Sequence, residues 1–119
     1  MGGVLLYFDD EQAGALRLAQ EASLTAQCIA RHRFPDGELK LTLPTALPGR
    51  VVLLRTLDRP NEKLVELLLT AQTARQLGAT HLTLVAPYLA YMRQDIAFHP
   101  GEVVSQRVIG RFLAGLFDA

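Results

Sequence analysis

The chain has 119 residues, half of them apolar, with twelve basic and twelve acidic side chains and a formal net charge of zero. That length holds one domain with its own core and is short for two. The absence of a basic bias argues against a nucleic-acid partner, and no apolar stretch is long enough for a membrane span or a secretion signal.

In chain order, VLLYF (4–8) is a short apolar run, read as a buried strand. DDEQAGALRLAQEAS follows as a helix, with Asp9 or Asp10 as the cap and Ala13, Leu16, Ala19 and Ala22 at helical spacing. TAQCIARHRF (25–34) and ELKLTL (38–43) alternate in polarity and are read as a hairpin closed by Pro35-Asp36-Gly37, with Leu39, Leu41 and Leu43 on one face. RVVLLR (50–55) is a continuous apolar run, as expected of a strand covered on both faces. A long helix then starts near Pro60, carries a stripe of Leu64, Leu67, Leu68, Ala71 and Ala74, and stops at Gly78. HLTLVAPY (81–88) is read as another buried strand and LAYMRQDIAFHPGE as a polar-aromatic loop. A last helix begins near Val103, with Val104, Val108, Ile109, Phe112, Leu113 and Leu116 inward and Arg107 and Arg111 outward. The order β-α-β-β-β-α-β-α predicts an α/β fold with a mainly parallel central sheet. The apolar final helix, with no strand after it, reads as the end of an N-terminal piece of something longer.

Cys28 cannot form an internal disulfide and is read as a buried, inert thiol in a reducing compartment. His32, His81 and His99 occur singly, without the spacing of a metal site. The sequence holds no phosphate-cradling G-x-x-x-x-G-K-[ST], no G-x-G-x-x-G after the first strand, no G-x-S-x-G and no evident nucleophile. Ligands of α/β sheets gather at the carboxyl ends of strands, which directs attention to loops. Arg93, Gln94 and Asp95 follow two tyrosines: Arg93 can fork onto phosphate, Gln94 can read a base edge, and Asp95 can order the arginine or help hold a metal-bound water. A polar loop with an Arg–Asp pair satisfying itself is the plainer reading. Phe34 can stack on a planar ring while Asp36 and Glu38 accept hydrogen bonds from an exocyclic amine. On spacing alone, however, Pro-Asp-Gly favours a simple turn.

RFPDGE, DRPNEKLVELLLTAQTARQLGA, LVAPYLAYMRQD and HPGEVVSQRVIGRFLAG, in this order and spacing, resemble the ribose-phosphate pyrophosphokinase (phosphoribosyl pyrophosphate synthetase) family, most firmly over residues 33 to 115. The resemblance implies a phosphoribosyltransferase-like three-layer domain, with the hairpin projecting from it, as the first of two similar domains, the second being absent. It also implies transfer of the diphosphoryl group of ATP to the 1-hydroxyl of ribose 5-phosphate, with Mg2+, giving PRPP and AMP, in a cytoplasmic homo-oligomer. Phe34, Asp36 and Glu38 match the family's F-x-[DN]-x-E loop, which contacts the adenine of ATP, typically ATP held by a neighbouring subunit. Arg93 and Gln94 match Y-x-R-Q-D, which holds the nucleotide from the other side; Asp95 belongs to the same motif. Asn61 and Glu62 match a helix start tied to fold and assembly. No catalytic residue and no metal ligand is carried over to this chain. Ile96 and Ala97 stand where many members have basic residues that help hold phosphates, and His99 also replaces a usual base. A non-catalytic regulatory or nucleotide-binding relative is therefore the alternative.

Overall fold

The computed structural model describes residues 2–119. Val4–Phe8 (β1) is a strand buried at every position. A 3-10 turn, Asp9–Glu11, leads into a helix, Gln12–Ala22 (α1). Thr25–Arg33 (β2) and Leu39–Thr42 (β3) pair antiparallel, with Arg33 opposite Leu39 and Arg31 opposite Leu41. Arg50–Leu54 (β4), Pro60–Gln76 (α2), His81–Val85 (β5) and Ser105–Leu116 (α3) complete the order.

The five strands lie in the order β3-β2-β1-β4-β5, parallel except for β3. Side chains alternate across the pleat, so β1 feeds two cores. Leu5 and Tyr7 pack with Ala15 and Ala19 of α1, while Val4, Leu6 and Phe8 pack with Leu67, Ala71 and Ala74 of α2 and Leu116 of α3. That gives three layers: α1, the sheet, and α2 with α3. The radius of gyration is 15.2 Å, against about 13.5 Å for a compact domain of this length, and residues 34–38 at the hairpin tip are all exposed.

Gly78 ends the α2 segment as expected. Its φ is +126°, and a Cβ there would meet the Leu47 carbonyl oxygen at 2.6 Å. The close approach is functional for packing, because the Leu47 amide donates to the Leu77 carbonyl at 3.0 Å and ties the loop before β4 to the helix end.

Several expectations need correction. Neither Asp9 nor Asp10 caps α1, because no side-chain cap bond forms at its start; their carboxylates go to arginines instead. The buried face of α1 is Ala15 and Ala19, while Ala13, Leu16 and Ala22 are exposed; a three-residue step drifts off one face of a 3.6-residue helix. Cys28 is exposed. Partial desolvation of its sulfur and the nearby Asp9 charge raise its thiol pKa. β5 stops at Val85, and only Leu82 in it is fully buried, because it lies at the sheet edge rather than the centre. Residues 117–119 run beside it: the Asp118 amide donates to Leu82 O at 2.8 Å and the Leu84 amide to Ala119 O at 2.9 Å. Val108 of α3 is exposed rather than inward.

Candidate functional site

The sheet changes winding direction between β1 and β4, since α1 leads from β1 to β2 on one side and α2 leads from β4 to β5 on the other. Such a switch point is the usual ligand crevice of an open α/β sheet. Here it is filled by the chain's own charges. Arg55, just past β4, is buried to 1% exposure and Glu66 of α2 to 0%. The Arg55 Nε donates to Glu66 Oε1 at 2.8 Å, and its Nη1 donates to Asp10 at 2.7 Å and to Glu11 at 2.9 Å. Arg31 of β2 donates to the other oxygen of Glu66 at 2.6 Å and, more weakly, to Asp9 at 3.3 Å. The Glu11 carboxylate also accepts the Thr56 amide with both oxygens at 3.1 Å. The Phe8 ring lies against both guanidiniums, 4.5 Å from that of Arg55 and 5.4 Å from that of Arg31.

Burial alone would push the Asp10 carboxyl up and the Arg55 guanidinium down. Their mutual hydrogen bond and charge, helped by Arg31 and Glu66, outweigh it, so Asp10 sits below its ordinary value and Arg55 above. Every group in this cluster is held by another, so it is a structural node rather than a vacant binding site. Sequence reasoning missed it. The available signal was a charge inside an apolar frame: Arg55 ends the run RVVLL, and Glu66 interrupts LVELLL on the inward side of α2.

The two loops singled out from sequence lie on either side of this node. In the hairpin, the Phe34 amide donates to Glu38 O at 2.8 Å and the Gly37 amide to Phe34 O at 2.9 Å, with Gly37 at φ +94°. The tip is therefore a tight turn. Asp36 spends one carboxylate oxygen on the Glu38 amide at 3.0 Å, the local bond that acidic turn residues favour. Phe34 stands edge-on to His32, with ring centroids 4.8 Å apart. It borders a shallow concavity of about 440 Å³ with Arg31, His32 and Lys40. Glu38 borders a different one of about 480 Å³, with Glu62, Val65 and Leu69.

After β5, the Leu57 amide donates to Tyr88 O at 2.9 Å, and Ala90 is buried. Tyr91 takes a left-handed backbone at φ +64° and donates its hydroxyl to Asn61 Oδ1. Arg93, Gln94 and Asp95 follow, all exposed. Among the described residues neither Arg93 nor Asp95 enters an ion pair, so the self-satisfied Arg–Asp reading does not hold. Gln94 has its amide oxygen engaged by the Ser105 hydroxyl at 2.6 Å, and its backbone carbonyl accepts the Gln106 amide at 3.1 Å. Further on, Glu102 accepts the amides of His99 and Phe98 at 3.0 and 2.7 Å, which hold its carboxyl below the usual range. Arg93, Gln94, Ile96, Phe98 and Glu102 line a concavity of about 420 Å³.

Phe34, Glu38 and the Arg93–Gln94 pair thus border three different concavities. What they share is an anchor. Adjacent residues in the first turn of α2 hold both loops: Asn61 takes Tyr91, and Glu62 pairs with Arg33 beside the hairpin tip.

Residues 4–116 match the N-terminal domain of ribose phosphate pyrophosphokinase. The ribose-phosphate pyrophosphokinase of Methanopyrus kandleri is 39% identical over 87% of this chain and 36% of its own length. That of Saccharolobus solfataricus is 47% identical over 68% of this chain and 28% of its own. The chain therefore spans about a third of the length of these relatives. Among solved structures, phosphoribosylpyrophosphate synthetase from Mycobacterium smegmatis superposes with a TM-score of 0.82 at 20% identity, over 96% of this chain and 39% of that one. A purine phosphoribosyltransferase from Pyrococcus horikoshii shares the fold more distantly, with a TM-score of 0.51 over 74% of this chain and 65% of its own at 20% identity. Strand order, layer arrangement and the match across residues 4–116 agree: the chain belongs to the family of the N-terminal domain of ribose phosphate pyrophosphokinase.

Proposed function

We propose that this chain is the ATP-site-contributing N-terminal domain of a ribose-phosphate pyrophosphokinase, which transfers the diphosphoryl group of ATP to the 1-hydroxyl of ribose 5-phosphate. The observation that carries the reading is the family match over residues 4–116, with FPDGE (34–38) and RQD (93–95) both exposed and outside helix and strand. In this reading Phe34 stacks on the adenine, and Asp36 and Glu38 accept from its exocyclic amine. Asp36 keeps one carboxylate oxygen for that purpose after closing the turn. Arg93 supplies a guanidinium with no competing carboxylate among the described residues, which suits a phosphate oxygen. Asp95 lies beside it. The separation of the hairpin concavities from that of Arg93 supports an assembly in which the hairpin serves a nucleotide on a neighbouring copy.

Diphosphoryl transfer needs positioning and charge neutralisation more than a protein nucleophile. Among the described residues no three His, Cys, Asp or Glu side chains converge on a possible ion. Magnesium would enter on the phosphates of ATP, as it commonly does. The described helices include none long and apolar enough to cross a membrane.

The test is to supply the full-length protein with ATP, magnesium and ribose 5-phosphate and to follow AMP and PRPP. Both products are expected, and Arg93→Ala should raise the KM for ATP about tenfold or more through loss of a charge-assisted contact. ATP binding without AMP release would instead support a non-catalytic, regulatory relative, for which Ile96 and Ala97 in place of basic residues are the relevant sequence feature.

A further inference from the structure

The hairpin and α2 meet through two matched periodicities. Residues two apart on a strand share a face and lie about 6.7 Å apart. Residues four apart on a helix share a face and lie about 6 Å apart. Arg31 and Arg33 on β2 therefore stand opposite Glu66 and Glu62 on α2, and both pairs form at once, Arg31 to Glu66 at 2.6 Å and Arg33 to Glu62 beside it. The inner pair is rooted. Glu66 is fully buried and also clamped by Arg55, so its carboxylate has nowhere to move. The outer pair is half-exposed, at 55% and 44%, and stands one residue from Phe34.

The hairpin has little else to hold it. β3 is an edge strand, bonded among the described residues only to β2. Residues 34–38 are exposed, and the bonds that shape the tip are made within it. Apolar contact reaches the core of the domain through Leu41 and Leu43; nearer the tip, half-buried Leu39 borders an open concavity with Val65 and Leu69 of α2.

We propose that Arg31–Glu66 and Arg33–Glu62 are positioning pairs that set where the hairpin presents Phe34, Asp36 and Glu38 to a nucleotide. This rests on the adenine-binding reading of the tip. Neither pair touches ligand. The inner one fixes the angle at which the hairpin leaves the sheet, and the outer one fixes the base of the tip. A hairpin freed from α2 still forms its own ladder and turn but opens them more often, and it samples orientations in which ring and acceptors miss the base.

The experiment uses the full-length protein with Arg33→Glu, Glu62→Arg and the double charge swap, beside Phe34→Ala. Each single reversal is expected to raise the KM for ATP about tenfold, with kcat and the KM for ribose 5-phosphate within about twofold, since only placement of the base is disturbed. The swap should restore the KM. Amide exchange at Phe34 and Gly37 should speed about fivefold in the single reversals and return in the swap. A purely stabilising pair would move the melting temperature without this KM split. Unchanged KM and exchange in the reversals, with Phe34→Ala raising the KM, would overturn the positioning role while leaving the tip's adenine role intact. A normal KM in Phe34→Ala would sink the adenine reading itself, and the proposal with it.

Discussion

The strand ends around Arg55 and the hairpin tip use the same residue types, Arg, Asp, Glu and Phe, in opposite ways. At the strand ends two arginines meet four carboxylates and a phenylalanine ring, and every polar group has a protein partner. At the tip, Phe34 is 40% exposed and Glu38 makes no side-chain ion pair among the described residues. Desolvation explains the contrast. A buried charge must be answered by the fold itself, whereas an exposed one can wait for a ligand while water holds it. The difference predicts that substitutions at the node cost stability and that those at the tip cost function.

The strongest way to break that division is Glu66→Ala. It removes the buried carboxylate shared by Arg55 and Arg31 and should cost about 3 to 5 kcal/mol by chemical denaturation; a loss below about 1 kcal/mol would mean that Asp10 and Glu11 answer the Arg55 charge alone. The node also has an acid signature. Asp10 has a lowered pKa in the folded state, so its contribution is complete above the ordinary carboxyl value of 3.8 and fades as pH falls from there through the lower folded value. Stability measured against pH should drop on that limb, and Asp10→Asn should flatten part of the drop. If the variant and parent curves run parallel, Asp10 is not linked to folding.

Two glycines sharpen the contrast further. Gly78→Ala meets both a positive φ and the Leu47 carbonyl, for about 2 to 3 kcal/mol. Gly37→Ala at the tip meets only a positive φ in open space, for about 1 kcal/mol. Equal costs would show that the helix end relaxes around the added methyl. Smallest of all, Phe34→Ala should change stability by less than about 0.5 kcal/mol; a larger loss would place its ring in the fold rather than at the surface.

The same contrast explains what was legible beforehand. β1, β4 and α2 were readable because apolar runs and stripes report burial directly. The leucines at 39, 41 and 43 gave the hairpin's inner face. The face of α1 was not, because its alanines are too numerous for spacing alone to choose among them, and the edge position of β5 depends on neighbours outside the segment. Arg55 and Glu66 were illegible for another reason. A buried ion pair looks like two surface residues until the fold brings them together across eleven positions. Of the candidate site, residue types and loops were visible in the sequence, as was the turn that Pro35-Asp36-Gly37 favours. Their anchoring to Asn61 and Glu62 was not visible, since it is a meeting of three segments distant in sequence.

That anchoring has a consequence for how this stretch can vary. The first turn of α2 is set by Pro60 after a left-handed Arg59, and Asn61 and Glu62 leave it in directions fixed by helical geometry. A substitution at either residue loosens one loop. Inserting or deleting a single residue between Arg59 and Glu66 rotates part of the turn by about 100° against the buried face and breaks the register of the loop ties with the Glu66 clamp. The segment tolerates changes of letter far better than changes of length.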